Sequence, residues 1–131
     1  MSYTLVTIEK TGYLHFRVQG ENSGANVRGY LAEIHSICAD RQRSAILIEE
    51  NLSGPSLDVG EIFRIASAGS AATAPVVHVI AYVDANPEHA PSKMQFAETV
   101  AVTRGINIRM FATIAEAEIW LQERAGRELS G

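Results

Sequence analysis

The chain has 131 residues, 47% of them hydrophobic and 20% charged, with a formal net charge of −4; this is room for one ordinary hydrophobic core and not the composition of a disordered segment. Its lysines and arginines are scattered rather than gathered into a stripe, so nothing is present to displace counterions from a nucleic-acid backbone or to dock on anionic lipid. No apolar run approaches the ~18 residues of a membrane span, Met1 to Gly20 lacks the layout of a secretion signal, and a single cysteine, Cys38, excludes an internal disulfide and a multi-cysteine metal centre. A cytoplasmic protein with no transmembrane segment and no nucleic-acid partner is the expectation.

Along the chain the hydrophobic period switches between two and about 3.6, the mark of alternating strands and helices. Tyr3 to Glu9 is rich in β-formers, and Gly12 closes a turn before a second strand from Tyr13 to Val18. In that strand Leu14, Phe16 and Val18 share one face and Tyr13, His15 and Arg17 the other. Such a strand belongs in an antiparallel hairpin or at a sheet edge, with His15 at the surface. Gly20 to Gly24 reads as a loop. Val27, Tyr30, Leu31, Ile34, Ile37 and Cys38 then recur at helical spacing behind Asn26 as N-cap. Cys38 shares a face with Leu31 and Ile34, so it is predicted to be a small core hydrophobe and not a reactive thiol.

Ala45 to Ile48 is a short apolar strand running out into Glu49 and Glu50, and Asn51 to Leu57 is turn-rich. The next helix has Val59, Ile62, Phe63 and Ala66 on one face, with Asp58 and Glu61 spaced as a capping pair. Ser67 to Ala74 is small and polar without the glycine spacing of a phosphate loop, and reads as a helix end running into a loop. Pro75 opens Val76 to Val83, an apolar run predicted to lie centrally and parallel to its neighbours, with His78 buried inside it. Asp84 to Ala90 is a polar loop. Ser92 with Gln95 reads as a capping box for a helix that ends near Arg104, with Gly105 as its C-cap. Ile106, Ile108 and Met110 alternate with Asn107 and Arg109 as a half-exposed strand does. Thr113 and Glu116 open a last helix with Ile114, Ala117 and Leu121 inward and Trp120 packing beside them. The order β-β-α-β-α-β-α-β-α predicts a single α/β domain over residues 1–131, a mixed sheet of about five strands with about four helices and right-handed crossovers. The order of strands within the sheet stays open.

Ligands of open α/β sheets bind beyond the carboxyl ends of parallel strands. Those ends carry Glu49, Glu50, Asn51, Ser53, Ser56 and Asp58 in one loop, and Asp84, Asn86, Glu88 and His89 in the next. Carboxylates and imidazole are the groups that hold a metal or move a proton, so a small hydrolase or metal-dependent enzyme is one reading. Against it, no Gly-x-Ser-x-Gly elbow surrounds Ser53 or Ser56, no spacing brings His89 to either, and polar turn residues need no role beyond capping and solvation. The prediction is a chain without catalytic residues, resident metal or cofactor. Asn51, Ser53, Ser56, Asp58, Asp84, Asn86 and His89 are then the residues placed to meet a partner or ligand. The second helix also has more apolar surface, through Ile62, Phe63, Ile65 and Ala66, than a narrow stripe requires. A small apolar ligand or a membrane surface is therefore the alternative to a protein partner.

The opening hairpin YTLVTIEKTGYLHFRVQG, the strand-to-helix segment AILIEENLSGPSLDVGEIF and the close INIRMFATIAEAEIWL together resemble the SpoIIAA-like or STAS-like family of small regulatory domains. The resemblance spans nearly the whole chain and rests on pattern. It implies the SpoIIAA/STAS-like fold and a non-catalytic regulatory or protein-interaction role like that of anti-sigma-factor antagonists. It also implies a protein partner or a homodimer meeting the stretch from Ser53 to Phe63. One departure stands out: phosphorylated members carry Asp-Ser-x-Gly at the start of the helix after the third strand. Here Asp58-Val59-Gly60 puts valine at the serine position and shortens the spacing to glycine. Ser53 and Ser56 lie upstream of that context, so the implied module lacks the serine phosphoswitch.

Overall fold

The computed structural model describes the backbone of residues 3–73 and 76–130, and side chains over 3–69 and 76–124. Its elements follow the predicted order: β1 (Tyr3–Lys10), β2 (Tyr13–Glu21), α1 (Gly24–Arg41), β3 (Ala45–Ser53), α2 (Val59–Thr73), β4 (Val79–Asp84), α3 (Pro91–Thr103), β5 (Asn107–Phe111) and α4 (Ile114–Ser130). They build a five-stranded sheet in the sequential order β1-β2-β3-β4-β5. β1 is antiparallel to β2 and each later pair is parallel. This order decides the layers. Every parallel step moves one strand further in the same direction, so right-handed crossovers put α1, α2 and α3 on one face of the sheet. After β5 no crossover is required, and α4 folds back over the other face against β3, β4 and β5.

The two faces separate along each strand with period two. Phe16 and Val18 of β2 and Ile46, Ile48 and Leu52 of β3 enter the core beneath α1, α2 and α3, where Tyr30, Ile34 and Cys38 of α1 meet them. Leu47 of β3 and Val79, Ala81 and Val83 of β4 meet Ala117, Trp120 and Leu121 of α4 on the other side. β4 lies between β3 and β5, as its continuous apolar character predicts. Cys38 is buried, and burial pushes its thiol up to about 11. Ellman's reagent should therefore leave the native protein unmodified over hours and react fully in denaturant; rapid reaction of the folded chain would contradict this packing.

Several local expectations are corrected. β2 runs through to Glu21 and pairs with an equally extended β3 up to Glu21↔Ser53, so the loop before α1 is shorter than Gly20–Gly24. Of the two expected placements of β2, the antiparallel hairpin with β1 is the one it takes, and with β3 on its other side it is not an edge. His15 is only 4% exposed, and its Nε2 donates to Glu49 Oε1 at 2.9 Å. Ser23, not Asn26, caps α1, its Oγ accepting from Asn26 N at 3.1 Å. α2 turns Ile62, Ile65, Ala66 and Gly69 toward the sheet, and Val59 and Phe63 outward. Ser67–Thr73 continues that helix, while Ala74 and Pro75 lie outside the described residues. β4 begins at Val79, so His78 stands exposed ahead of the strand. α3 starts with Pro91 after Ala90, with no side-chain cap and with Ser92 inside the helix; proline suits that position because its missing N–H has no helical partner there.

Two terminators match expectation. Gly105, at φ +90, lets its own N–H and that of Ile106 reach the carbonyls of Val102 and Ala101 at 3.0 and 3.1 Å, a Schellman closure of α3. Thr113 Oγ1 accepts from Glu116 N at 3.2 Å and donates to the Glu116 carboxylate at 2.9 Å, capping α4.

Candidate functional site

Strand alternation places the site. On β3, Glu50 has the parity of Ile46 and Ile48, and on β4, Asp84 has that of Ile80 and Tyr82, so all face the layer of α1, α2 and α3. The register pairs Ile48 with Tyr82 and Glu50 with Asp84. The carboxyl ends of two parallel strands thus set two carboxyl groups and a phenol side by side beneath Tyr30 of α1. Glu50 is 4% exposed. Its Oε2 accepts a short hydrogen bond from the Tyr30 hydroxyl, and the Tyr82 hydroxyl lies 3.5 Å from that of Tyr30. Burial raises the Glu50 carboxyl above the usual range, against the downward pull of hydrogen bonds from Tyr30 and Tyr82. Burial, with Glu50 alongside, likewise holds both phenols well above their ordinary value. A low-dielectric site with few countercharges favours the uncharged form of each group.

Asp84 and His89 make the other half of this polar floor. His89 is 7% exposed; its Nδ1 sits 2.6 Å from Asp84 Oδ2 and its Nε2 2.9 Å from the Gly54 carbonyl oxygen. The second Asp84 oxygen accepts from Asn86 N at 3.0 Å. Asn86 Nδ2 donates to the Leu52 carbonyl at 2.7 Å and its Oδ1 accepts from Glu88 N at 2.9 Å. Ser56 Oγ accepts from Ala90 N at 3.1 Å, and Lys93 Nζ donates to the Leu57 carbonyl at 3.0 Å. The β3–α2 and β4–α3 loops are laced together by these bonds.

Above the floor the helices do not close fully on the sheet. They leave a cavity of about 160 Å³, partly open to solvent, walled by Leu31 of α1, Ile62 and Gly69 of α2, Met94 and Ala97 of α3, and Met110 of β5.

Of the residues predicted to form the site, Ser56, Asp84, Asn86 and His89 meet here. Asp58 instead caps α2, its Oδ1 accepting from Glu61 N at 2.8 Å. Ser53 Oγ donates to the Gly20 carbonyl at 3.1 Å, tying β3 to β2. Asn51 stands exposed within β3, not in a turn, and on the face opposite Glu50. Glu49 is on that opposite face too, bonded to His15 and to Arg17, so it is no neighbour of Asp84. Sequence reasoning puts Tyr30 on the apolar face of α1 and Tyr82 in the central strand but assigns neither to the site. The parity of Glu50 with Ile46 and Ile48 is the one signal that marks Glu50 as an inward-facing acid.

Chemically, Glu50, Asp84 and His89 each bring one ligand atom to within 4.8 Å of the others, and carboxylate and imidazole suit a divalent cation. The Asp84 and His89 atoms are hydrogen-bonded to each other, however, and burial favours the protonated form of Glu50. Chelation is therefore expected to leave the thermal midpoint unchanged; a fall of several degrees on adding EDTA would place a cation in the floor. As a general base His89 is equally committed. Its two nitrogens are spent on Asp84 and Gly54, and no nucleophilic hydroxyl among the described residues bonds to it.

No family model matches the chain, and no curated protein matches it. Among solved structures it is similar to an anti-sigma factor antagonist from Mycobacterium paratuberculosis, with a TM-score of 0.62 and 17% sequence identity over 92% of this chain and 95% of that one. The likeness shows an α/β fold of the anti-sigma-factor-antagonist type.

Proposed function

We propose that the chain is a non-catalytic regulatory module that acts by binding a protein, a partner or a second copy of itself, on the first two turns of α2 and the adjoining end of α3. The observation that carries this is the exposure of Val59 and Phe63, 51% and 44%, one helical turn apart on the outer face of α2. The Arg104 guanidinium lies 5.5 Å from the centre of the Phe63 ring. An exposed aromatic joined to arginine is the composition in which interface centres are enriched. The fold shared with an anti-sigma factor antagonist supports the regulatory part. Among the described residues, no helix is long and apolar enough to cross a membrane.

This surface carries a fixed charge in place of a switch. Asp58 caps α2, and Val59 offers no hydroxyl to phosphorylate. Glu61 is held by Arg64 at 2.9 Å and Arg28 at 3.0 Å, whose hydrogen bonds keep its carboxyl below the usual range. Asp58→Ala should cost about 0.5–2 kcal/mol in chemical denaturation, the usual loss of an N-cap. Intact-mass analysis of protein from its native cells should show no phosphorylated form; phosphate mapping to Ser53 or Ser56 would restore the switch. The interface itself is tested by cross-linking in those cells. Wild type should yield a discrete cross-linked protein or dimer that Phe63→Asp loses while keeping its thermal midpoint. Retention of the same cross-link by that variant would place the interface elsewhere.

A further inference from the structure

We infer that the cavity between the sheet and helices α1, α2 and α3 binds a small uncharged molecule, with an apolar body the size of one six-membered ring and a single hydroxyl group directed at Glu50 and Tyr82. It uses the inward face of α2, whereas the proposed protein interface uses the outward one, so either stands without the other.

Size comes first. An engineered apolar cavity of ~150 Å³ accepts benzene, and this cavity is about 160 Å³. The room is not forced by close packing. Among the described residues a β-carbon at Gly69 would find nothing nearer than Leu31 Cδ1 at 3.9 Å, so the site has room for at least an added methyl group. Glycine inside a helix is itself a stability cost, and here what it preserves is room beside Leu31. Ala97 keeps the facing wall equally short.

Polarity fixes the orientation. The walls are aliphatic and thioether side chains, while the polar lining, Glu50, Tyr30, Tyr82, Asp84 and His89 with Asn22, Ser56 and Lys93 beside them, gathers at the carboxyl ends of β3 and β4. A protonated carboxyl gives one hydrogen bond and accepts others, and a phenol does the same; a ligand hydroxyl is matched to both. A ligand carboxylate would lie against Asp84 after losing its water. An ammonium ligand would meet Lys93, would find Asp84 already bonded to His89, and would have to shed its hydration among aliphatic walls.

The test follows the methyl resonances of Met94 and Met110, which both line the cavity, in the intact protein. Cyclohexanol should shift both saturably and raise the thermal midpoint. Methylcyclohexane should bind roughly five- to tenfold more weakly, the worth of one buried hydrogen bond, and Tyr82→Phe should narrow that preference. Cyclohexanecarboxylate at pH 8 should give no saturable shift. Gly69→Leu should abolish cyclohexanol binding without lowering the midpoint. Ala97→Leu fills the same space from α3 and serves if the first variant folds poorly. Phe63→Asp should bind cyclohexanol as wild type does, which separates this site from the protein interface. Absence of a saturable shift with cyclohexanol, tighter binding of the carboxylate, or undiminished binding in a folded filled variant would each overturn the assignment.

Discussion

Asp84→Ala should lower the free energy of unfolding by about 1–3 kcal/mol, the usual consequence of leaving a buried polar group without its hydrogen-bond partner. The carboxylate meets the His89 imidazole at 2.6 Å, and it also accepts the Asn86 amide at 3.0 Å. Alanine leaves both groups without that acceptor. The damage spreads, because Asn86 and His89 are the groups that tie the β4–α3 loop to the Leu52 and Gly54 carbonyls. Asp84→Asn keeps an oxygen acceptor at the same position and should cost less. Urea denaturation measures both, with an unchanged m-value confirming that the folded state is still compact. A loss below about 1 kcal/mol for the alanine variant would mean that the pair does not hold the floor together.

The second large effect is on pH dependence. Glu50→Gln should be more stable than wild type at pH 8, with the difference closing as the pH falls toward 4. Burial raises the Glu50 carboxyl above its ordinary value, ~4.3 in an unfolded chain, so the folded protein holds that proton more tightly than the unfolded chain does. The stability this contributes is fully present below the ordinary glutamate value and is lost as the pH rises through the folded one. Glutamine cannot ionise, and its carbonyl still accepts from the Tyr30 hydroxyl. Tyr30→Phe, by contrast, should cost about 1–3 kcal/mol at pH 5, since it strips a buried polar atom of its donor. Glu61 works in the opposite sense. Its carboxyl is held down by Arg64 and then Arg28, so it contributes stability above the ordinary glutamate value that fades as the pH falls. That contribution is exposed to solvent and salt screens it, while the Glu50 effect persists at high ionic strength. An identical pH profile for wild type and Glu50→Gln would show that Glu50 is not the group that titrates.

What the sequence by itself determined is local. The alternation in β2 and β5, the apolar run of β4, the helical spacing of α1 and the terminators Asp58, Gly105 and Thr113 are set within a few residues by backbone sterics and nearby hydrogen bonds. They can be read from the chain, and so can the α/β class that follows from their order. The tertiary structure decided everything that depends on a partner far along the chain. β2 and β3 continue to Glu21 and Ser53 because each supplies the hydrogen bonds of the other, and His15 is buried because a neighbouring strand presents Glu49 to it. The apolar arc of α2 is wide enough that periodicity does not say which part of it faces inward; packing on the sheet chose Ile62 and Ile65 and left Val59 and Phe63 outside. The floor exists because parallel register sets Glu50 against Asp84 and a crossover helix lowers Tyr30 onto them. The cavity lies between the sheet and three crossover helices, with Gly69 and Ala97 among the small residues that line it. Neither has a one-dimensional signature, since each is a distance between elements, and only packing fixes such distances.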